Sequence, residues 1–331
     1  MTERVGEAGS RAGPVVGGLT VGVDIGGTKV AAGVVDTGGT ILAINRRDTP
    51  SDDPQKTEDL IADLVHELQE AYRVEAVGVG AAGFVDADRS TVRFAPNLAW
   101  RNEPLGWALE RRLQLPVVVE NDANAAAWAE ARFGVGHGEP HVVVITVGTG
   151  IGGGVIIDHR LLRGSFGIAA EMGHLTVVPD GRLCGCGNRG CWEQYASGRA
   201  LVSEARTLAA SSPALAEQML ALVSGDAAAI DGPTVTAAAR QGDAAALRAF
   251  ESVGNWLGRG MAEMAAVLDP GLFVVAGGVS AAGEILLEPA QRAFTDRLVA
   301  REFRPAAQVR VARLGGDEAG IIGAADLVRH S

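Results

Sequence analysis

The chain predicts two similar α/β domains facing each other across a cleft, and three observations carry that expectation. A pattern of apolar strand, Gly-rich turn and strand occurs twice, over residues 19–47 and again over residues 141–164. Around these copies, short apolar runs alternate with segments of helical period, as in sheets covered by helices. The polar pair Asn121-Asp122 stands at the end of one such apolar run, where open α/β sheets bind ligands.

The elements follow in order. Residues 19–46 read LTVGVDIGGTKVAAGVVDTGGTILAINR: an apolar strand, a Gly-Gly turn, a second strand, a Gly-Gly turn and a third strand. Asp24 ends the first strand and Gly26, Gly27, Thr28 and Lys29 form the turn, where small residues let backbone N–H groups approach an anion. Taken alone, this turn fits a plain hairpin as well as an anion cradle. The Walker spacing is absent. Residues 57–72 have helical period, 75–80 form a buried strand, and a loop with Pro96 and Asn97 leads to a helix over 104–113. Residues 116–120 form a strand ending at Asn121-Asp122, ahead of a helix over 123–133. One of the two polar residues can cap that helix while the other reaches the cleft.

The second copy begins at His141, and its turn contains Gly148, Thr149, Gly150 and Gly152. Because the design repeats, each turn is expected to lend backbone amides to one polyphosphate. Residues 237–268 read as one helical stretch. Residues 272–276 form a strand ending at Gly277-Gly278, which permits close approach to a flat ring or a ribose. A helix over 283–299, a strand over 308–312 and a helix over 318–328 finish the chain. The last helix is expected to cross back onto the first domain, which divides the chain into 19–126 plus 316–331 and 127–315.

Residues 171–193, EMGHLTVVPDGRLCGCGNRGCWE, hold all 3 cysteines. Cys184, Cys186 and Cys191 with His174 make a Cys3His set suited to tetrahedral zinc, and four protein ligands leave no open position, so the ion would be structural. The competing uses are free thiols or a Cys184–Cys191 disulfide with Cys186 left over. The odd count and the lack of a secretion signal speak against a disulfide. Since both Gly-rich turns lie elsewhere in the sequence, zinc is expected to support the ligands near it and to leave the nucleotide turns alone.

With 331 residues, 47% of them hydrophobic and 21% charged, the chain can bury a full core. The formal net charge of -11 disfavours nucleic acid or an anionic membrane as a partner. The longest apolar stretch, residues 142–157, is interrupted by five glycines and is no membrane span. Residues 1–18 lack the apolar core of a signal peptide and read as a mobile Gly/Ala-rich tail, so a cytoplasmic location is expected. Lys29 and Lys56 are the only lysines, which draws attention to Lys29 in its Gly-rich turn.

Two Gly-rich turns and a Gly-Gly strand end suit a nucleotide, whereas Asn97, Asn121, Asp122, Glu171, His174 and Glu193 offer the amides, carboxylates and imidazole that a neutral polyhydroxylated ligand needs. Phosphoryl transfer to a hydroxyl requires a base near the attacking oxygen, and Asp122 is the choice. Mg2+ would bridge the phosphates, with Asp24 helping to hold its water shell.

Asp24-Ile-Gly-Gly-Thr-Lys29, Glu120-Asn-Asp122, Gly148-Thr-Gly-Ile-Gly-Gly-Gly154, Glu171-Met-Gly-His174 and the cysteine run ending at Glu193 resemble the signature segments of the ROK family (repressors, open reading frames, kinases). The resemblance runs from about residue 19 onward and is nearest to ATP-dependent glucokinases of actinobacteria. It implies a duplicated actin-like (ribonuclease-H-like) two-domain kinase fold, phosphorylation of glucose at its 6-hydroxyl, the six sugar contacts named above with Asp122 as general base, phosphate contacts from both Gly-rich turns, and a structural zinc. Ala82 is a departure, since many members carry proline there. Other ROK activities are kinases for fructose, allose or N-acetylmannosamine, a polyphosphate-using glucokinase, and sugar-binding repressors. About 18 residues precede the first strand, too few for a repressor's helix-turn-helix. A homodimer or homotetramer is expected.

Overall fold

The computed structural model describes residues 17–96 and 98–330. Most of the tail read at residues 1–18, and Asn97, therefore lie outside the described residues. In chain order the elements are β1 (Leu19–Ile25), β2 (Lys29–Val35), β3 (Ile41–Asp48), α1 (Pro54–Gln69), β4 (Val74–Ala81), β5 (Phe84–Val85), β6 (Val92–Phe94), β7 (Arg101–Glu103), α2 (Leu105–Leu113), β8 (Val117–Asn121) and α3 (Asp122–Phe133). Then come β9 (Val142–Val147), β10 (Ile151–Ile157), β11 (Arg160–Leu161), α4 (Glu193–Ala196), α5 (Gly198–Ser211), α6 (Glu217–Leu222), α7 (Gly232–Arg240), α8 (Ala244–Leu268), β12 (Leu272–Ala276), α9 (Glu284–Arg297), β13 (Gln308–Val311) and α10 (Gly316–Leu327).

These form two compact units: residues up to Phe133 with Leu161–Ala169 and the stretch from Gly316 on, and Gly134–Arg160 with Ala170–Gly315. The first unit contains a sheet of order β3-β2-β1-β4-β8, and the second sheet runs β11-β10-β9-β12-β13. In both, the opening strand pairs antiparallel with the next one and parallel with a later one, so the repeat seen in sequence is a repeat of topology. Strands buried on both faces need unbroken apolar runs, and Val21, Val23, Val77 and Val79 in one sheet and Val143, Ile145, Phe273 and Val275 in the other are fully buried.

Helix α10 lies directly on β1 and β4. A Cβ on Gly22 or Gly78 would overlap the carbonyl oxygens of Ile321 and Ala324, so the absent side chains are what let the helix backbone touch the sheet. Thr20 Oγ1 donates to the Ala325 carbonyl at 2.8 Å, and Trp128 Nε1 of α3 donates to the buried Asp326 carboxylate at 2.8 Å. The helical stretch over 237–268 is in fact two helices. Gly242 adopts φ 86 and Asp243 caps α8 by accepting from the Ala246 amide at 2.9 Å, so the chain turns there although its apolar period continues. A small sheet, β5-β6-β7, was not evident in the sequence because its strands are two or three residues long. Among the described residues no helix is long and apolar enough to cross a membrane.

Candidate active site

In the first unit the β1–β2 turn closes through the Gly26 amide, which donates to the Lys29 carbonyl at 2.9 Å. Thr49 fastens it: its hydroxyl donates to the Gly26 carbonyl at 2.9 Å and its amide to the Thr28 carbonyl at 3.0 Å. Gly27 and Thr28 form the tip. Lys29 Nζ lies 3.7 Å from Asp317 Oδ2 in the first turn of α10, and Arg46 Nε donates to the same oxygen at 3.2 Å. Asp317 is a residue that sequence reasoning missed, although an acid directly after Gly315-Gly316 at a helix start was the available signal. Asp24, one residue before the end of β1, lies beside Gly320, where a Cβ would stand 2.7 Å from its Cγ. Burial first, then the carboxylates of Asp122 and Asp317, push the Asp24 pKa up to about 7, with Lys29 opposing. Such concentrated negative charge, opposed by one half-exposed lysine, fits a site that holds a hydrated divalent cation.

Asn121 and Asp122 divide their labour. Asn121 Oδ1 accepts from the Asn124 amide at 3.0 Å and its Nδ2 donates to the Gly83 carbonyl at 3.0 Å, so Asn121 caps α3. Asp122, one residue on, leaves the cap of the Asn124 amide to Asn121. Burial raises its pKa against the lowering effect of the Ala123 amide and its own, which makes the carboxylate a better proton acceptor. Glu120, just before them, is buried and accepts from Arg163 Nε at 2.7 Å, an ion pair between residues 43 apart that sequence reasoning also missed.

In the second unit the turn after β9 closes through the Gly148 amide, which donates to the Gly150 carbonyl at 3.1 Å, and the amide of Gly198 at the start of α5 donates to the Gly148 carbonyl at 2.8 Å. Arg199 Nε donates to the Thr149 carbonyl at 3.0 Å. Gly152 lies on β10 opposite Thr146. Gly277 packs on the backbone of Val147 at the end of β9, and Gly278 next to it faces open space.

The nitrogen and sulfur atoms of His174, Cys184, Cys186 and Cys191 all lie within 4.8 Å of one another. Cys184 Sγ is 3.6 Å from His174 Nδ1 and Cys186 Sγ is 3.6 Å from Cys191 Sγ. Bonds of about 2.1 Å to nitrogen and about 2.3 Å to sulfur give tetrahedral edges of that size, so the set fits zinc. None of the three cysteines is in a disulfide. The loop is held by bridges Thr176–Cys191 and Leu183–Arg189 and by Trp192, whose Nε1 donates to the Trp256 carbonyl at 2.7 Å. His174 turns its other nitrogen, Nε2, toward Glu171 Oε2 at 3.9 Å.

Glu193 starts α4 and is buried. Its Oε1 takes hydrogen bonds from Cys184 Sγ at 3.1 Å, Gln194 Nε2 at 3.2 Å and Arg199 Nη2 at 3.4 Å. Its Oε2 faces Gly150 so closely that a Cβ there would collide with it. The Cys3His loop and the second Gly-rich turn, distant in sequence, are thus joined through Glu193 and Arg199, a contact that the sequence did not reveal.

A family model described as ROK family matches residues 20–331. Glucokinase of Streptomyces coelicolor is 52% identical over 313 residues, covering 95% of this chain and 98% of that protein. Glucokinase of Thermotoga maritima is 37% identical over 314 residues, covering 94% and 97%. The crystal structure of a ROK family glucokinase from Streptomyces griseus in complex with glucose and AMPPNP superposes with a TM-score of 0.85 at 54% identity, covering 95% of this chain and 100% of that one.

Proposed function

The chain belongs to the ROK family, and from that premise we propose that it is an ATP-dependent glucokinase, which transfers the γ-phosphoryl group of ATP to the 6-hydroxyl of glucose. The observation that carries the reading is the state of Asp122: at the carboxyl end of β8, beside Asn121, which takes the capping bond from the Asn124 amide, with its proton affinity raised by burial. As the glucose O6 attacks the γ-phosphorus, Asp122 takes the O6 proton, the new P–O bond forms, and the bond to the β,γ-bridging oxygen breaks to release ADP. This reading assigns the sugar contacts to Asn97, Asn121, Asp122, Glu171, His174 and Glu193. It assigns the nucleotide contacts to the amides of Gly26, Gly27 and Thr28 with Lys29, to Gly148, Thr149, Gly150 and Gly152, and to Gly277 and Gly278.

Mg2+, when bound with the nucleotide, neutralises phosphate charge, and Asp24 is the residue to hold its water shell. His174 would ligate zinc through Nδ1, which fixes Nε2 as the nitrogen that faces the sugar. Zinc would hold the loop and take no part in proton transfer.

A coupled assay across glucose, fructose, allose and N-acetylmannosamine, with ATP and polyphosphate as donors, tests the reading. Glucose with ATP should give the highest kcat/KM, and Asp122→Asn should lose about 10²–10⁴-fold in kcat while still binding glucose. Near wild-type turnover in that variant would remove Asp122 from the role. The same reading takes the protein to act in the cytoplasm as a homodimer or homotetramer, which light scattering resolves.

A further inference from the structure

We propose that Arg163, acting through Glu120, is the positioning residue that sets the base. The inference rests on the reading of Asp122 as that base. Glu120 is 1% exposed and its two oxygens do different jobs. Oε1 accepts from the Asn121 amide at 2.9 Å and from Asn124 Nδ2 at 3.1 Å, so one oxygen grips the residue before Asp122 and the residue two after it. Oε2 accepts from Arg163 Nε at 2.7 Å. The rest of the guanidinium is used on backbone: Nη2 donates to the Asp86 carbonyl at 2.9 Å and Nη1 to the Ala87 carbonyl at 3.3 Å. One planar group thereby ties the start of α3 to the 86–87 turn.

Arg163 reaches this place on the segment Leu161–Ala169, which belongs to the first unit although the chain on both sides of it belongs to the second. Gly167 seats the segment: at φ 83 it lies against the backbone of Val85, Asp86 and Ala87, where a Cβ would strike the Val85 carbonyl or the Ala87 amide. The segment is thus docked at two points on the same turn, by a backbone without a side chain and by a fork.

Stability alone does not account for the arrangement. A buried carboxylate ringed by guanidinium groups carries a desolvation cost that apolar residues of similar volume would avoid. The second guanidinium, Arg89, has Nε 3.7 Å from Glu120 Oε2, and its buried Nε and Nη2 have no hydrogen-bond partner among the described residues. What the network does supply is direction. Arg163, anchored on the turn through both Nη atoms, holds one Glu120 oxygen through Nε; the other Glu120 oxygen holds the Asn121 amide and the Asn124 side chain on either side of Asp122, and a misplacement of about 1 Å at a reacting group costs about 10²-fold in rate.

The test compares Arg163→Ala and Arg163→Lys in the wild-type and Asp122→Asn backgrounds, measured on the full chain with glucose and ATP. Arg163→Ala should lower kcat by about 10²-fold with the ATP KM within about twofold of wild type, and added guanidinium ion should restore part of the rate. Arg163→Lys should fall between, because an ammonium can meet Glu120 but cannot hold both carbonyls as well. On Asp122→Asn, Arg163→Ala should add little further loss, since the positioned group is already gone.

Because Arg163→Ala leaves Glu120 charged and buried, the double variant Arg163→Met with Glu120→Gln carries the test if the single one does not fold. It keeps an acceptor for Asn121 and Asn124 but loses the tie to the turn, and its kcat should still be reduced. Wild-type kcat in a folded Arg163→Ala or double variant, beside an inactive Asp122→Asn, would overturn the positioning role alone. So would a loss that vanishes on lowering the temperature, which would make Arg163 a stability residue only. Normal turnover in Asp122→Asn is a separate outcome and would overturn the base assignment itself.

Discussion

Asp24→Asn should stabilise the protein increasingly as pH rises, while removing a group that the reaction needs. In the fold the Asp24 carboxyl is pushed from an ordinary 3.8 to about 7, chiefly by burial and then by Asp122 and Asp317. A carboxyl whose pKa is raised by folding binds its proton more tightly in the native state than in the unfolded chain. Its contribution to stability is complete below pH 3.8 and is lost as pH climbs through 7. Each pH unit in that window is worth 1.36 kcal/mol, so about 3 kcal/mol of the loss falls between pH 5 and pH 8. Asparagine is close to the same shape and does not titrate. The advantage of the variant in urea unfolding should therefore grow by about 3 kcal/mol from pH 5 to pH 8, while the raised Asp122 is present in both proteins and largely cancels. Activity should fall at the same time, with the deficit greatest at low Mg2+. Parallel stability profiles over that pH range would refute the account, because they would mean that Asp24 ionises in the fold as it does in water.

Three further outcomes follow from the geometry. Cys191→Ser should reduce bound zinc, measured by metal analysis, and should raise the glucose constant in calorimetric titration. The ATP constant should rise too, because Glu193 abuts Gly150 and shares Arg199 with Thr149. Gly150→Ala should act on the same junction without touching the metal, weakening both ligands while zinc stays at wild-type stoichiometry. Gly78→Ala should cost more than the 1–3 kcal/mol of ordinary overpacking, since its Cβ would overlap the Ala324 carbonyl, and soluble yield with thermal unfolding would read the effect.

What could be read in the sequence was whatever depends on neighbours along the chain. Apolar runs such as residues 272–276 became strands with the same bounds, the two Gly-rich turns stood out by composition, and the Cys3His set was visible because its ligands fall within 18 residues of one another. The break at Gln241-Gly242-Asp243 was hidden because the alanines on both sides keep a helical period, so only the backbone of Gly242 and the Asp243 cap reveal it. The Glu120–Arg163 pair was invisible for another reason: nothing in either local segment marks a partner 43 residues away. The meeting of Glu193 with Gly150 is of the same kind. Asp24 was legible as a strand-end acid, but its raised pKa depends on Asp317 nearly 300 residues later.

The seat of α10 on β1 and β4 has a consequence for biosynthesis. The sheet of the first unit leaves the ribosome well before the helix that covers Gly22 and Gly78, which begins at Gly316, 183 residues after Phe133 closes α3. Until that helix arrives, one face of the nascent sheet has bare glycine tracks and uncovered valines, a surface suited to holdase chaperones and to premature association with other nascent chains. The first unit therefore completes itself after the second, and a ribosome that stalls before Gly316 releases a chain in which the second unit has all of its strands and the first lacks its lid.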